Sequence, residues 1–197
     1  MENQHQLSEE DFRKNKWQKV AKPLIWVGII SIIMLFAGLT SAVIVRKGDG
    51  NWLQYEMPSM FLWSTLTIVL SSLALYYAYL SAKKNNSKGI KLGLILTMLL
   101  SIAFIFMQLE GYNQLMVQEV FFTGKNHNAS GSFLYVISFL HLLHLVGGII
   151  ALIVVLFNAF KERYNSKNLL GLQVFSTYWH FLGGLWIYLY LFFRLII

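Results

Sequence analysis

The chain predicts an all-α, polytopic membrane protein built as a bundle of five transmembrane helices. Composition is the first observation behind that expectation. Apolar residues make up 56% of the 197 residues and charged residues 13%, where a soluble domain carries about 25% charged. The second is placement: charges are cleared from five stretches, each 18 residues or longer, and a helix of about 20 residues crosses a hydrocarbon core about 30 Å thick. Backbone in lipid must bond to itself, which leaves helices or closed barrels, and these runs lack the alternation of barrel strands. Such a composition excludes a soluble enzyme, a disordered regulator and a collagen-like fibre. The chain holds no cysteine, which removes disulfides, thiolate metal sites and thiol chemistry.

Residues 1–22 read as a cytoplasmic tail. Ser8 can cap a short helix with Glu9, Glu10 and Asp11 in its positive first turn, and Leu7 and Phe12 stand at the positions of a hydrophobic staple. The spacing predicts a surface helix over 8–20. The acidic residues argue against a signal peptide. Residues 23–197 read as one transmembrane domain with spans at about 23–45, 58–82, 90–120, 132–160 and 170–196. Pro23 and Pro58, the two prolines, open the first two spans, where a missing N–H costs nothing. Arg46, Lys47 and Gly48 close the first. Lys83-Lys84-Asn85-Asn86-Ser87-Lys88-Gly89 makes a short turn between antiparallel neighbours. The apolar periodicity of the third span continues past Glu110 to Val120, giving a helix of about 45 Å that would stand out of the membrane. The turn-rich segment 123–130 precedes span four. Its Asn128-Ala129-Ser130 matches a glycosylation sequon, but nothing in the sequence gives it a secretory context.

Charge sets the orientation. The tail, the loop after span two and the loop after span four hold twelve of the 16 Lys and Arg residues. Arg46, Lys47, Lys125 and Arg194 lie on the other side. The positive-inside rule then places the N-terminus in the cytoplasm and the C-terminus outside. The net charge of +7 is thus a topology signal facing anionic lipid headgroups, with no nucleic acid implied. Trp52, Tyr55 and Trp63 fall near the outer interface, and Tyr76, Tyr77, Tyr79 and Tyr164 near the inner one, as an aromatic belt does.

Ionisable groups inside lipid are expensive and need a reason. Four stand out: Glu110, His141, His144 and His180. His141 and His144 share a helix face, which Ser138, Gly148 and Ala151 extend. Ser176, His180 and Gly184 form a second stripe, and Gly93, Thr97 and Ser101 a third. Small, polar stripes pack against protein rather than lipid, so these three faces are expected to meet one another. By helical rise His144 lies about 18 Å below the outer surface and His180 about 14 Å above the inner one. Histidines facing each other at that depth could ligate a haem, as in a small haem b electron-transfer protein. They could equally hydrogen-bond each other or a neighbouring hydroxyl. Glu110 reads either as an interfacial carboxylate, or as a proton-relay group or a partner for His141. Walker loops, HExxH and GxSxG are absent from the sequence.

Three segments carry a resemblance. Phe139-Leu140-His141-Leu142-Leu143-His144-Leu145-Val146-Gly147-Gly148 resembles the F-H-G-L-H-V-x-x-G stretch of subunit III of haem–copper terminal oxidases. Tyr178-Trp179-His180-Phe181-Leu182-Gly183-Gly184-Leu185-Trp186-Ile187-Tyr188-Leu189-Tyr190 is similar to that family's Y-W-H-F-V-D-x-x-W-x-x-L-Y ending. Gln108-Leu109-Glu110-Gly111-Tyr112 resembles its Q-x-x-E-Y element. The chain departs from the pattern at Ile32, where the family often has a carboxylate, and at Gly183, in place of the aspartate. It also lacks two N-terminal helices of longer members, which help form a lipid-filled cleft there. The resemblance implies a non-catalytic accessory subunit in the short five-helix form, with no cofactor or metal of its own. It would pack against the catalytic subunit of a proton-pumping oxidase that reduces oxygen to water. Haems and copper would belong to partner subunits. A larger respiratory assembly, docked through the tail or the end of span three, is a further implied partner. The membrane would be the bacterial cytoplasmic one. Glu110, His141, His144, Trp179 and His180 are then structural or interface residues, and none is catalytic.

Overall fold

A computed structural model describes residues 2–48, 50, 52–122, 128–166 and 168–196, with residues 2–18 described by their backbone. The described residues form five helices: α1 Glu2–Gly48, α2 Ser59–Lys83, α3 Ser87–Val117, α4 Ala129–Phe160 and α5 Leu170–Ile196. All five are long and apolar enough to cross a membrane, α1 from Lys19 onward. The staple of Leu7 and Phe12 and the Ser8 cap lie outside the described side chains.

α1 runs without a break through the boundary expected at residue 22, so Pro23 sits inside a helix and not at its first turn. Proline offers no N–H to the carbonyl four residues back, here that of Lys19. That carbonyl lies at the first residue of the membrane-capable part, where water can satisfy it. Pro58 is the residue before α2, and its carbonyl accepts the Phe61 N–H at 3.1 Å.

Asparagines set two starts earlier than expected. Asn86 accepts the Gly89 N–H at 3.1 Å and opens α3. Asn128 accepts the Ser130 N–H at 3.0 Å and opens α4. The sequon asparagine is thus a helix cap. Three ends share one motif, in which the chain turns left-handed just past the helix. Asn85, Glu119 and Glu162 take φ of 54°, 60° and 55°. The next N–H reaches back in each case, Asn86 to Ser81, Val120 to Leu115 and Arg163 to Asn158, at 2.9, 3.0 and 3.1 Å. α3 therefore ends at Val117, and residues expected in its last turn form its cap.

Four helices make a ring. α2 and α3 form a close hairpin, α3 meets α4, α4 meets α5, and α5 returns to α2, while α1 packs from outside against α4 and α5. Each ring helix buries positions that step by three and four: Phe61, Ser64, Ile68, Ser71, Leu75, Ala78 and Ala82 on α2, and Leu172, Phe175, Trp179, Leu182, Trp186, Leu189 and Phe193 on α5. The same rhythm runs through Leu94, Thr97, Ser101, Phe104 and Gln108 on α3, and through Leu134, Ser138, His141, Leu145, Gly148 and Leu152 on α4. This is the 3.5-residue repeat of left-handed helix bundles.

The three small-residue stripes do not all meet. Gly93 lies so close to α2 that a Cβ would sit 2.8 Å from the Ala74 carbonyl oxygen and the Ala78 Cβ. The α3 stripe therefore packs on α2. Gly148 of the α4 stripe faces Trp179, whose ring would be 3.2 Å from a Cβ there. The α5 stripe points out of the ring, and Gly184 is exposed with nothing within 4 Å of a Cβ. The reason is size: α5 turns its large side chains inward to fill the ring, which leaves its small ones outside.

Candidate functional site: the polar seam of the ring

The seam is built from hydroxyls on α2 and α4 that meet larger polar groups on the neighbouring helices. Trp179 is fully buried and its Nε1–H donates to Ser71 Oγ at 3.0 Å. Seven residues on, Trp186 donates to Thr65 Oγ1 at 3.0 Å. Gln108 Nε2 donates to Ser64 Oγ at 2.8 Å, and Tyr112 Oη to Ser138 Oγ at 2.9 Å. Thr97 donates within α3 to the Gly93 carbonyl at 2.8 Å, with the Ser71 carbonyl at 3.5 Å. Each bond between elements joins neighbours in the ring.

His141 stands in the middle of this seam. Its ring lies 5.2 Å from that of Trp186, tilted by 33°, and 6.1 Å from the edge-on Phe104. It is 1% exposed, and neither ring nitrogen has a hydrogen-bond partner. His144 points elsewhere. It meets Phe36 of α1 edge-to-face at 5.7 Å, and its Nδ1 lies 2.7 Å from the Leu140 carbonyl oxygen. Tyr178 of α5 donates to the His144 carbonyl at 3.0 Å.

His180 lines a groove with Lys22 and Trp26 of α1 and Tyr76 and Tyr79 of α2. His144 faces Phe36 of α1, whereas His180 opens into the groove with Lys22 and Trp26. Nothing in these surroundings supports the paired-ligand arrangement weighed from the sequence. The described residues hold no group of three or more His, Cys, Asp or Glu placed to hold a metal ion. Glu110 is exposed on α3 and accepts from Asn113 Nδ2 at 3.2 Å. It faces away from His141, whose neighbours are Phe104 and Trp186.

Outside the spans, burial raises the pKa of Tyr55 above the ordinary tyrosine value, and Tyr135 adds to the rise. Its hydroxyl lies 3.4 Å from the Ser130 carbonyl oxygen, tying the α1–α2 connection to α4. On the opposite side, Lys91 pairs with Glu162 at 3.1 Å, and the Ser166 N–H donates to Asn85 Oδ1 at 2.7 Å. Sequence reasoning missed Ser64, Thr65, Ser71, Gln108 and Trp186 as seam members. A usable signal was there: Ser64 and Ser71 are seven apart, as are Trp179 and Trp186.

Five apolar helices, four of them joined through this seam, define a polytopic integral membrane protein. The chain belongs to the cytochrome c oxidase subunit III family, whose model matches residues 54–196. It is 28% identical over 177 residues to a probable cytochrome c oxidase subunit 3 of Nocardia farcinica, covering 85% of this chain and 82% of that one. It is 27% identical over 173 residues to the cytochrome bo(3) ubiquinol oxidase subunit 3 of Buchnera aphidicola, covering 85% and 89%. A cytochrome c oxidase subunit 3 of Thermostichus vulcanus is 25% identical over 172 residues, covering 83% and 81%.

Proposed function

We propose that this chain is a non-catalytic accessory subunit of a proton-pumping haem–copper terminal oxidase, carrying no cofactor itself and bracing the catalytic subunit. The observation that carries this reading is how the seam is used. Ser71, Ser64, Thr65 and Ser138 are each engaged by a neighbouring helix, and His141 is enclosed by aromatic rings. The four hydroxyls therefore hold helices together. Relatives named for a cytochrome c oxidase and for a ubiquinol oxidase match this chain equally well, at 28% and 27% identity, so the likeness does not follow the electron donor. The outer surface fits a chain seated among lipids and other subunits: large apolar residues such as Leu99, Phe106, Ile150 and Phe157 are exposed.

On this reading Glu110, His141, His144, Trp179 and His180 are structural or interface residues. The chain lies in the bacterial cytoplasmic membrane, N-terminus inside, beside the catalytic subunit and within reach of a larger respiratory assembly. The test is isolation of the native complex in mild detergent. A large haem-containing subunit should co-purify and the complex should consume oxygen, while the chain alone shows no Soret band. A haem spectrum from the chain alone, or a complex inert towards oxygen, would overturn the reading.

A further inference from the structure

Three helix ends turn left-handed through a residue that carries a Cβ: Asn85, Glu119 and Glu162. That conformation disfavours any such residue, and glycine adopts it freely. Two of the three put the side chain to use. Asn85 Oδ1 accepts the Ser166 N–H, and Glu162 pairs with Lys91. Glu119 does neither. It is exposed, and among the described residues it has no hydrogen bond or ion pair. Backbone strain that nothing in the chain offsets points to a residue kept for function.

The surroundings of Glu119 say which function. Lys91, tied to Glu162, marks the polar boundary at one end of α3. Val117 lies about 39 Å further along the helix, so it stands roughly 9 Å past a hydrocarbon core about 30 Å thick. It is 85% exposed, and Met116 beside it is exposed too. Lipid tails do not reach that height, so the bilayer leaves these apolar side chains uncovered, as at a protein contact. On the other side of Glu119, Phe122 borders an open pocket of about 490 Å³ with Tyr112, Tyr135, Val136, Phe139 and Leu140. Both tyrosine hydroxyls are spent, on Ser138 and on the Val120 carbonyl, so the pocket presents carbon. Glu119 also stands at the negative end of the α3 dipole. An anionic point between two apolar surfaces fits a partner with the reverse pattern, a cation flanked by apolar side chains.

We propose that the outer end of α3 docks a segment of another subunit of the same complex, with a lysine or arginine against Glu119 and an apolar side chain in the pocket beside Phe122. Charge decides the occupant. A second copy packed about a two-fold axis would set this patch against itself, anion facing anion, and an acyl chain brings no cation. The identity of the partner rests on the accessory-subunit reading.

The test is photocrosslinking in the native complex, purified in mild detergent. The chain has no cysteine, so Val117→Cys takes a benzophenone maleimide at a single place in this subunit. Irradiation should join it to another subunit, within a few residues of a lysine or arginine. In that background Glu119→Gly should lower the yield about threefold, the effect of one exposed ion pair, and Glu119→Asp should keep it. Glu119→Gly relieves the backbone, and a melting temperature taken alongside should rise, so unfolding does not account for the fall. Leu140→Trp fills the pocket and should lower the yield without changing charge. Lys125→Gln, which removes the nearest cation in sequence, should leave it unchanged. Adducts with lipid, detergent or a second copy alone, an unchanged yield in Glu119→Gly, or an equal fall in Lys125→Gln would each overturn the proposal. A complex that holds its haem subunit while giving one of those outcomes leaves the accessory-subunit reading standing. A complex without a haem subunit overturns that reading, and the crosslink to whichever subunit is present still decides on the patch.

Discussion

The Trp179 indole fills the space over Gly148 and spans the ring to Ser71. Trp179→Phe keeps most of the packing and removes the bond. Interhelical bonds in membranes contribute about 0.6 kcal/mol on average and up to about 1.7. We expect a double-mutant cycle of Trp179→Phe with Ser71→Ala to return a coupling in that range, read from thermal melts of the complex. A coupling of zero would mean that the contact is packing alone. His141 leads to the opposite expectation. An unpaired buried polar group costs about 1–3 kcal/mol, and His141 has no partner on either nitrogen. His141→Leu should therefore melt at or above the wild-type temperature. A drop of several degrees would show that the imidazole finds a partner in the assembled complex. Its membership of a buried face was legible from Ser138 and Gly148 at helical spacing. Its neighbours were not, because spacing within one helix fixes a face and not the helix opposite.

The ends and close approaches of the helices rest on few residues. Gly93 sets the distance between α2 and α3, since any side chain there meets the Ala74 carbonyl. Gly93→Ala should cost about 1–3 kcal/mol, the range for overpacking, whereas Gly38→Ala, with open space around it, should stay within about 0.5 kcal/mol. Melts of the two variants test this directly. The left-handed turns give a second contrast. Glu119 is exposed at φ 60°, a conformation that costs a residue with a Cβ roughly 1–2 kcal/mol. Glu119→Gly should raise the melting temperature. Asn85→Gly should lower it, because the bond from Ser166 is lost. The five spans were legible from cleared charge alone. The three-and-four rhythm of the ring was not, because helices apolar on every side hide their buried face. The continuity of α1 was missed for a related reason: Pro23 reads as a start signal, and tolerance of a lost bond depends on nearby water.

For the whole molecule, orientation is the property most open to direct measurement. The chain has no cysteine, so introduced ones report without background. Lys84→Cys, between α2 and α3, should react with an impermeant maleimide only after the cytoplasmic side is opened. Glu56→Cys, between α1 and α2, should react in intact cells. The reverse pattern would invert the topology. Family membership was legible from three short segments on α3, α4 and α5. The α2 hydroxyls to which Gln108, Trp179 and Trp186 donate lie in none of those segments and were not.

The placement of α1 also orders events in time. It is the earliest of the five helices in the chain, yet its seat is formed by the latest two, with Phe36 against His144 and Tyr188 donating to Thr40 at 3.2 Å. During synthesis α1 therefore enters the bilayer before its seat within this chain exists, because α4 and α5 leave the ribosome after it.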